Sequence, residues 1–131
     1  MLSIKNLTRA RTPQIPFEAI AADALGSDYE LSLVFIGNTR SRSLNKKYRG
    51  KDKPTNVLSF PLSKNEGELF LDLAIIRAEA IRAGEAFIPY LAYIFIHGLF
   101  HLAGHDHGSI MEKKERDLLE SWHAKLSPHS T

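Results

Sequence analysis

Four of the chain's six histidines fall within eleven residues, His97-Gly-Leu-Phe-His101-Leu-Ala-Gly-His105-Asp-His107, and the chain has no cysteine. A transition metal held here would be held by imidazole and carboxylate, without thiolate. His97 and His101 stand i, i+4 near the end of a stretch, residues 87–103, that is apolar on nearly all sides. Four helical residues turn through about 400°, so the two imidazoles share a face one turn apart, in reach of one ion at about 2.1 Å. A helix running straight on would carry His105 about 12 Å beyond His97, so the chain has to turn back to complete a site. Gly104 is placed to allow that turn. Either His105 or His107 can then swing in. His107 is favoured as the third ligand, with His105 beside the site or on its substrate side.

The spacing His-x-x-x-His-x-x-Gly-x-x-His is also that of the metzincin proteases, whose general base is a glutamate directly after the first histidine. Here that position is Gly98. A metal site survives the comparison; the protease mechanism does not. Three neutral imidazoles leave a tetrahedral ion one open position, the arrangement of a catalytic rather than a structural zinc. Two acids stand ready to orient a ligand through its second ring nitrogen. Asp106 could do so or cap the turn, and Asp72, a carboxylate in an apolar run, could do so or pair with Arg49.

Net charge is only +2, yet Arg40, Arg42, Lys46, Lys47, Arg49, Lys51 and Lys53 stand within one short segment against the single Asp52. Such a field suits a polyanion such as nucleic acid, and a solvated helix face is the plain alternative. Arg49 offers a planar pair of donors for a phosphate, and Lys46, Lys47, Lys51 and Lys53 would guide the backbone towards it. Tyr48 is the obvious aromatic for base stacking.

These residues need a scaffold. The length of 131 residues suits one domain, taken as 1–126 with a frayed tail at 127–131. Alternating and β-rich runs predict strands near 2–8, 29–36, 57–62 and 69–76, the last two joined as an antiparallel hairpin through 63–67. Periodicity and caps predict helices at 17–25, 39–48, 77–85, 87–103 and 110–125. The last would bury Ile110, Met111, Leu118, Leu119 and Trp122. The expected fold is a single α/β domain with a four-stranded mixed sheet and about five helices, the buried central helix carrying His97 and His101. The longest apolar run contains Pro89 and stops at His97, short of the ~20 residues a membrane span needs. The first residues lack the pattern of a secretory signal, so a cytoplasmic protein is expected.

The block His97-Gly-x-x-His101-Leu-x-Gly-x-Asp-His107 resembles the signature of the YbeY family, metal-dependent endoribonucleases of bacterial ribosomal RNA maturation. Asn45-x-x-Tyr48-Arg49 followed by Pro54-Thr55-Asn56-Val57-Leu58-Ser59-Phe60-Pro61 looks like a second block of that family, and Leu71-Asp72-Leu73-x-Ile75 like a third. The chain departs at Asn56, where the family usually has aspartate, at Leu71, where glycine is expected, and at His105, often tyrosine. The resemblance implies zinc, one per chain, held by His97, His101 and His107, with Arg49 as the cleft arginine needed for activity. It implies single-stranded RNA as substrate, 16S (small-subunit) rRNA processing and ribosome quality control as the task, and the small ribosomal subunit or its proteins as partners. The competing reading is a ribosome-assembly factor that binds RNA around a structural metal. A metallopeptidase-like hydrolase is the weakest reading because Gly98 replaces its base.

Overall fold

The computed structural model describes residues 1–104 and 108–126. Its elements run β1 (Leu2–Asn6), α1 (Phe17–Leu25), β2 (Glu30–Ile36), α2 (Asn38–Arg49), β3 (Val57–Ser63), β4 (Glu66–Asp72), α3 (Leu73–Ala83), α4 (Phe87–Leu102) and α5 (Ser109–Leu126). The four strands form one sheet in the order β1-β2-β4-β3. β1 and β4 run parallel to β2 between them, and β3 closes the edge antiparallel to β4. This is the expected single α/β domain with a mixed sheet and five helices. β2 reads as an unbroken apolar run because it is covered on both faces, as central parallel strands are: Leu31, Leu33 and Phe35 alternate with Val34 and Ile36, all buried.

The predicted strand at 69–76 is corrected. β4 begins earlier, at Glu66, and ends at Asp72, and residues 73–76 open α3 instead. The cause is the Asp72 carboxylate, which accepts a hydrogen bond from the Ile75 backbone N–H (3.1 Å) and so caps a helix where apolar content alone reads as strand. The hairpin is tighter than expected, since only Lys64 and Asn65 separate β3 from β4. β1 stops at Asn6, whose side chain accepts from both the backbone N–H and the hydroxyl of Thr8 (2.9 and 2.6 Å), turning the chain out of the sheet.

α4 is the centre of the molecule. Leu91, Phe95, Ile96 and Leu99 are fully buried, and Phe17 of α1 meets Phe95 edge-on with ring centres 5.0 Å apart. The helix lies close on the sheet because residue 98 has no side chain. A Cβ built there would stand 2.6 Å from Leu69 Cδ1 and 3.0 Å from Val57 Cγ2, inside contact distance. Leu71, the departure from the family's glycine, is fully buried among the core residues beside it. α2 covers the opposite face, where Ser41 Oγ donates to Asp72 Oδ2 (2.7 Å). In α5, Met111 is buried and Leu118, Leu119 and Trp122 pack partly buried against the core, but Ile110 is 70% exposed, contrary to expectation. It sits in the first turn, one residue before the stripe that begins at Met111. Among the described residues no single helix is long and apolar enough to cross a membrane. The tail at 127–131 lies outside the described residues.

Candidate active site

α4 shows one partly open line on an otherwise buried surface: Tyr90, Tyr93, His97 and His101, three or four residues apart and so on one face. Along that line lies a cleft of about 490 Å³ whose walls include Arg49, Asn56, Ser59, Tyr93, His97 and His101. Ser59 ties its β3 wall to α4 by donating to the Gly98 carbonyl (3.1 Å). Arg49 enters from the last turn of α2. Gly50 then takes a left-handed turn (φ 70°) and its N–H bonds the carbonyls of Asn45 and Lys46, which ends the helix and fixes where Arg49 stands. The sequence thus places Arg49 and two of the three predicted ligands around one space. His105, Asp106 and His107 lie outside the described residues.

The two histidines face each other with Nε2 atoms 3.1 Å apart and ring planes at 79°. Two imidazole nitrogens on one tetrahedral zinc at about 2.05 Å would stand roughly 3.3 Å apart, so the donor pair fits the ion with little movement. His97 also makes the contact that decides its chemistry. Its Nδ1 lies 2.5 Å from Oε1 of Glu115, a carboxylate only 5% exposed on α5. An ionised carboxylate can only accept, so Nδ1 donates in this pair, and the neutral form of His97 then keeps its lone pair on Nε2, facing His101. That is the tautomer a metal requires. Among the described residues no group of three His, Cys, Asp or Glu side chains stands ready for a metal.

Glu115 was missed in the sequence, where it is one of several acids in a highly charged helix. Its signal was the spacing Met111, Glu115, Leu118, Trp122, which puts it on the inward stripe of α5. Among the described residues Asp72 pairs with neither Arg49 nor a histidine, the two roles foreseen for it. It is buried on the far face of the sheet, bound to Ser41 and, with the amide nitrogen of Asn38 turned towards it, to Asn38 at 2.7 and 3.0 Å. It joins α2 to α3.

The basic segment divides. Arg49 lines the cleft, whereas Lys46 and Lys53 border a separate groove with Arg42 and Asp52. Arg42 holds Asp52 bidentately (2.7 and 3.3 Å), which draws the Asp52 carboxyl below its ordinary range. Lys47 lies over the Tyr48 ring, 5.2 Å from its centre, and Lys51 is exposed in the turn after α2. Tyr48 packs on Phe60 (4.9 Å between ring centres) rather than in the cleft. Asn56, the departure from the family's aspartate, donates Nδ2 to Glu79 Oε1 (3.0 Å), and the Tyr90 hydroxyl reaches the same oxygen (3.4 Å). A carboxylate at 56 could not make that bond to an ionised Glu79; the amide can.

Residues 5–124 match the family model described as Endoribonuclease YbeY. The chain belongs to the YbeY family. The matched stretch takes in the whole cleft and Glu115. Curated YbeY relatives agree: one from Chelativorans sp. is 39% identical over 99 residues, 69% of this chain and 61% of that protein. One from Chromohalobacter salexigens is 44% identical over 99 residues, 70% of this chain and 64% of that protein. The chain thus spans less than two thirds of these YbeY proteins. A third, from Aromatoleum aromaticum, is 36% identical over 117 residues, covering 86% of this chain and 76% of its own. The solution structure of TM1509 from Thermotoga maritima shares the fold, with 26% identity, a TM-score of 0.70, and 99% of this chain and 95% of that one covered.

Proposed function

We propose that this protein is a zinc-dependent endoribonuclease that hydrolyses single-stranded RNA, and that it acts in the cytoplasm on 16S rRNA during small-subunit maturation and quality control. The observation that carries the reading is the cleft itself, which sets two histidines with facing Nε2 atoms and an exposed arginine around one open space. The name its relatives carry, Endoribonuclease YbeY, supports the same reaction class. The ribosomal task rests on the family resemblance of the three sequence blocks, and with it the small subunit as partner.

His97 and His101 would hold the ion, with His107 supplying the third nitrogen. Zinc bound there supplies Lewis acidity and lowers the pKa of its water. The chain does the rest. Glu115 keeps His97 in the ligating tautomer. The Arg49 guanidinium receives the phosphate of the bond to be cut through two parallel N–H donors, and its charge favours the dianionic transition state over the monoanionic diester. Gly98 offers no carboxylate to the cleft, since residue 98 faces the sheet.

The test is cleavage of an end-labelled single-stranded RNA beside its duplex form. We expect internal cuts in the single strand, far fewer in the duplex, loss of cutting in a chelator and recovery on adding zinc. Cutting that is undiminished by a chelator, or equal in the His101→Ala variant, contradicts the proposal.

A further inference from the structure

The described role of the cleft leaves its other end unused. Tyr93 lies one helical turn before His97, about 6 Å along the axis of α4, and Tyr90 stands three residues further back. The rings of Tyr90, Tyr93 and His97 follow one another with centres 6.0 and 6.4 Å apart. Neighbouring side chains of this helix are buried, yet Tyr93 remains 38% exposed, and the surface it exposes lines the cleft. A large aromatic left partly open in a cleft beside a phosphate-binding arginine has an unspent apolar face. Beyond it the cleft is polar. Asn56 spends one N–H of its Nδ2 on Glu79, which leaves the amide its Oδ1 acceptor and a second N–H donor.

We propose that Tyr93 is a stacking platform for the nucleobase next to the phosphate held at Arg49 and the histidines. The inference rests on the single-stranded RNA reading above and adds a subsite to it. A base is the ligand whose dimensions and chemistry match: a flat apolar face for the ring and a polar edge for Asn56. Each of the four RNA bases carries both a donor and an acceptor on its pairing edge, so an amide that offers one of each does not select among them, and stacking is equally tolerant. The subsite therefore favours unpaired bases over paired ones without imposing a sequence. Burial and the nearby Glu115, Glu112 and Glu85 push the Tyr93 phenol above its ordinary value, so it stays neutral and does not repel the RNA backbone.

The experiment is a fluorescence-anisotropy titration of the full chain, in chelator to hold cleavage off. The probes are a labelled mixed-sequence RNA octamer and an abasic octamer with the same phosphates. Wild type is expected to bind the base-bearing octamer about 10-fold more tightly, as one stacked base would give. Tyr93→Phe should keep that preference. Tyr93→Ala should lose most of it while binding the abasic octamer as wild type does, which also shows that the variant is folded. Its salt dependence should not change, because no phosphate contact is removed. Tyr93→Ala retaining the full preference overturns the platform. Wild type binding both octamers equally also overturns it but leaves the RNA reading standing. Wild type binding neither overturns both.

Discussion

Arg49→Ala is expected to slow cleavage of single-stranded RNA by about 10²- to 10³-fold, the usual loss when one preorganised donor to a developing charge is removed. The geometry behind this is specific. Arg49 is exposed, it lines the same cleft as His97 and His101, and among the described residues it has no acidic partner, whereas Arg42 is tied to Asp52. Its charge is therefore available to a phosphate. Substrate affinity should fall less than rate, and the slope of log affinity against log salt should drop by about 0.7, one phosphate contact on a single strand. Arg49→Lys should recover the salt slope but only part of the rate, since an ammonium cannot bind a phosphate through two parallel donors. A variant with wild-type kcat and a changed KM alone would place Arg49 in binding only.

Glu115→Gln is expected to weaken zinc binding by about 10- to 100-fold, the range seen when the group behind a ligating histidine is altered. The glutamine is close in size, so packing around α5 is kept. The amide, however, can turn its NH₂ towards His97 Nδ1, which moves the ring proton to Nε2 and blocks the ligating lone pair. Chelator-competition titration reads the affinity, and nitrogen NMR of the imidazole reads the tautomer without any activity measurement. Wild type should show Nδ1–H and the variant a mixture. Unchanged affinity together with an unchanged tautomer would show that the 2.5 Å contact merely packs α5 against α4.

Much of this is legible in the sequence. The i, i+4 histidines on an apolar run located α4, and the glycine at 98 ruled out a protease base for a reason the fold then deepened, since a Cβ there would press on Leu69 and Val57 of the sheet and point away from the cleft. The order of elements followed from turn residues and periodicity. What escaped depended on tertiary context. The boundary at Asp72 escaped because Leu73, Ile75 and Ile76 suit a buried strand as well as a buried helix, and only the capping bond decides. Glu115 escaped because a lone acid among Glu112, Asp117 and Glu120 is marked as internal only by its place on the stripe with Met111 and Leu118. The basic segment looked like one patch in sequence, but α2 and the turn after it send Arg49 to the cleft and Lys46 and Lys53 to another groove. Tyr93 was hidden in plain apolar company, four residues before His97.

The measurement that bears most directly on this account is metal content by mass spectrometry of the purified protein and of single alanine variants at His97, His101, His105 and His107. The account predicts about one zinc per chain, lost in the 97, 101 and 107 variants and kept in the 105 variant. Wild-type protein that carries no metal and takes up none on adding zinc would contradict it, and the cleft would then be an RNA-binding surface without hydrolytic chemistry.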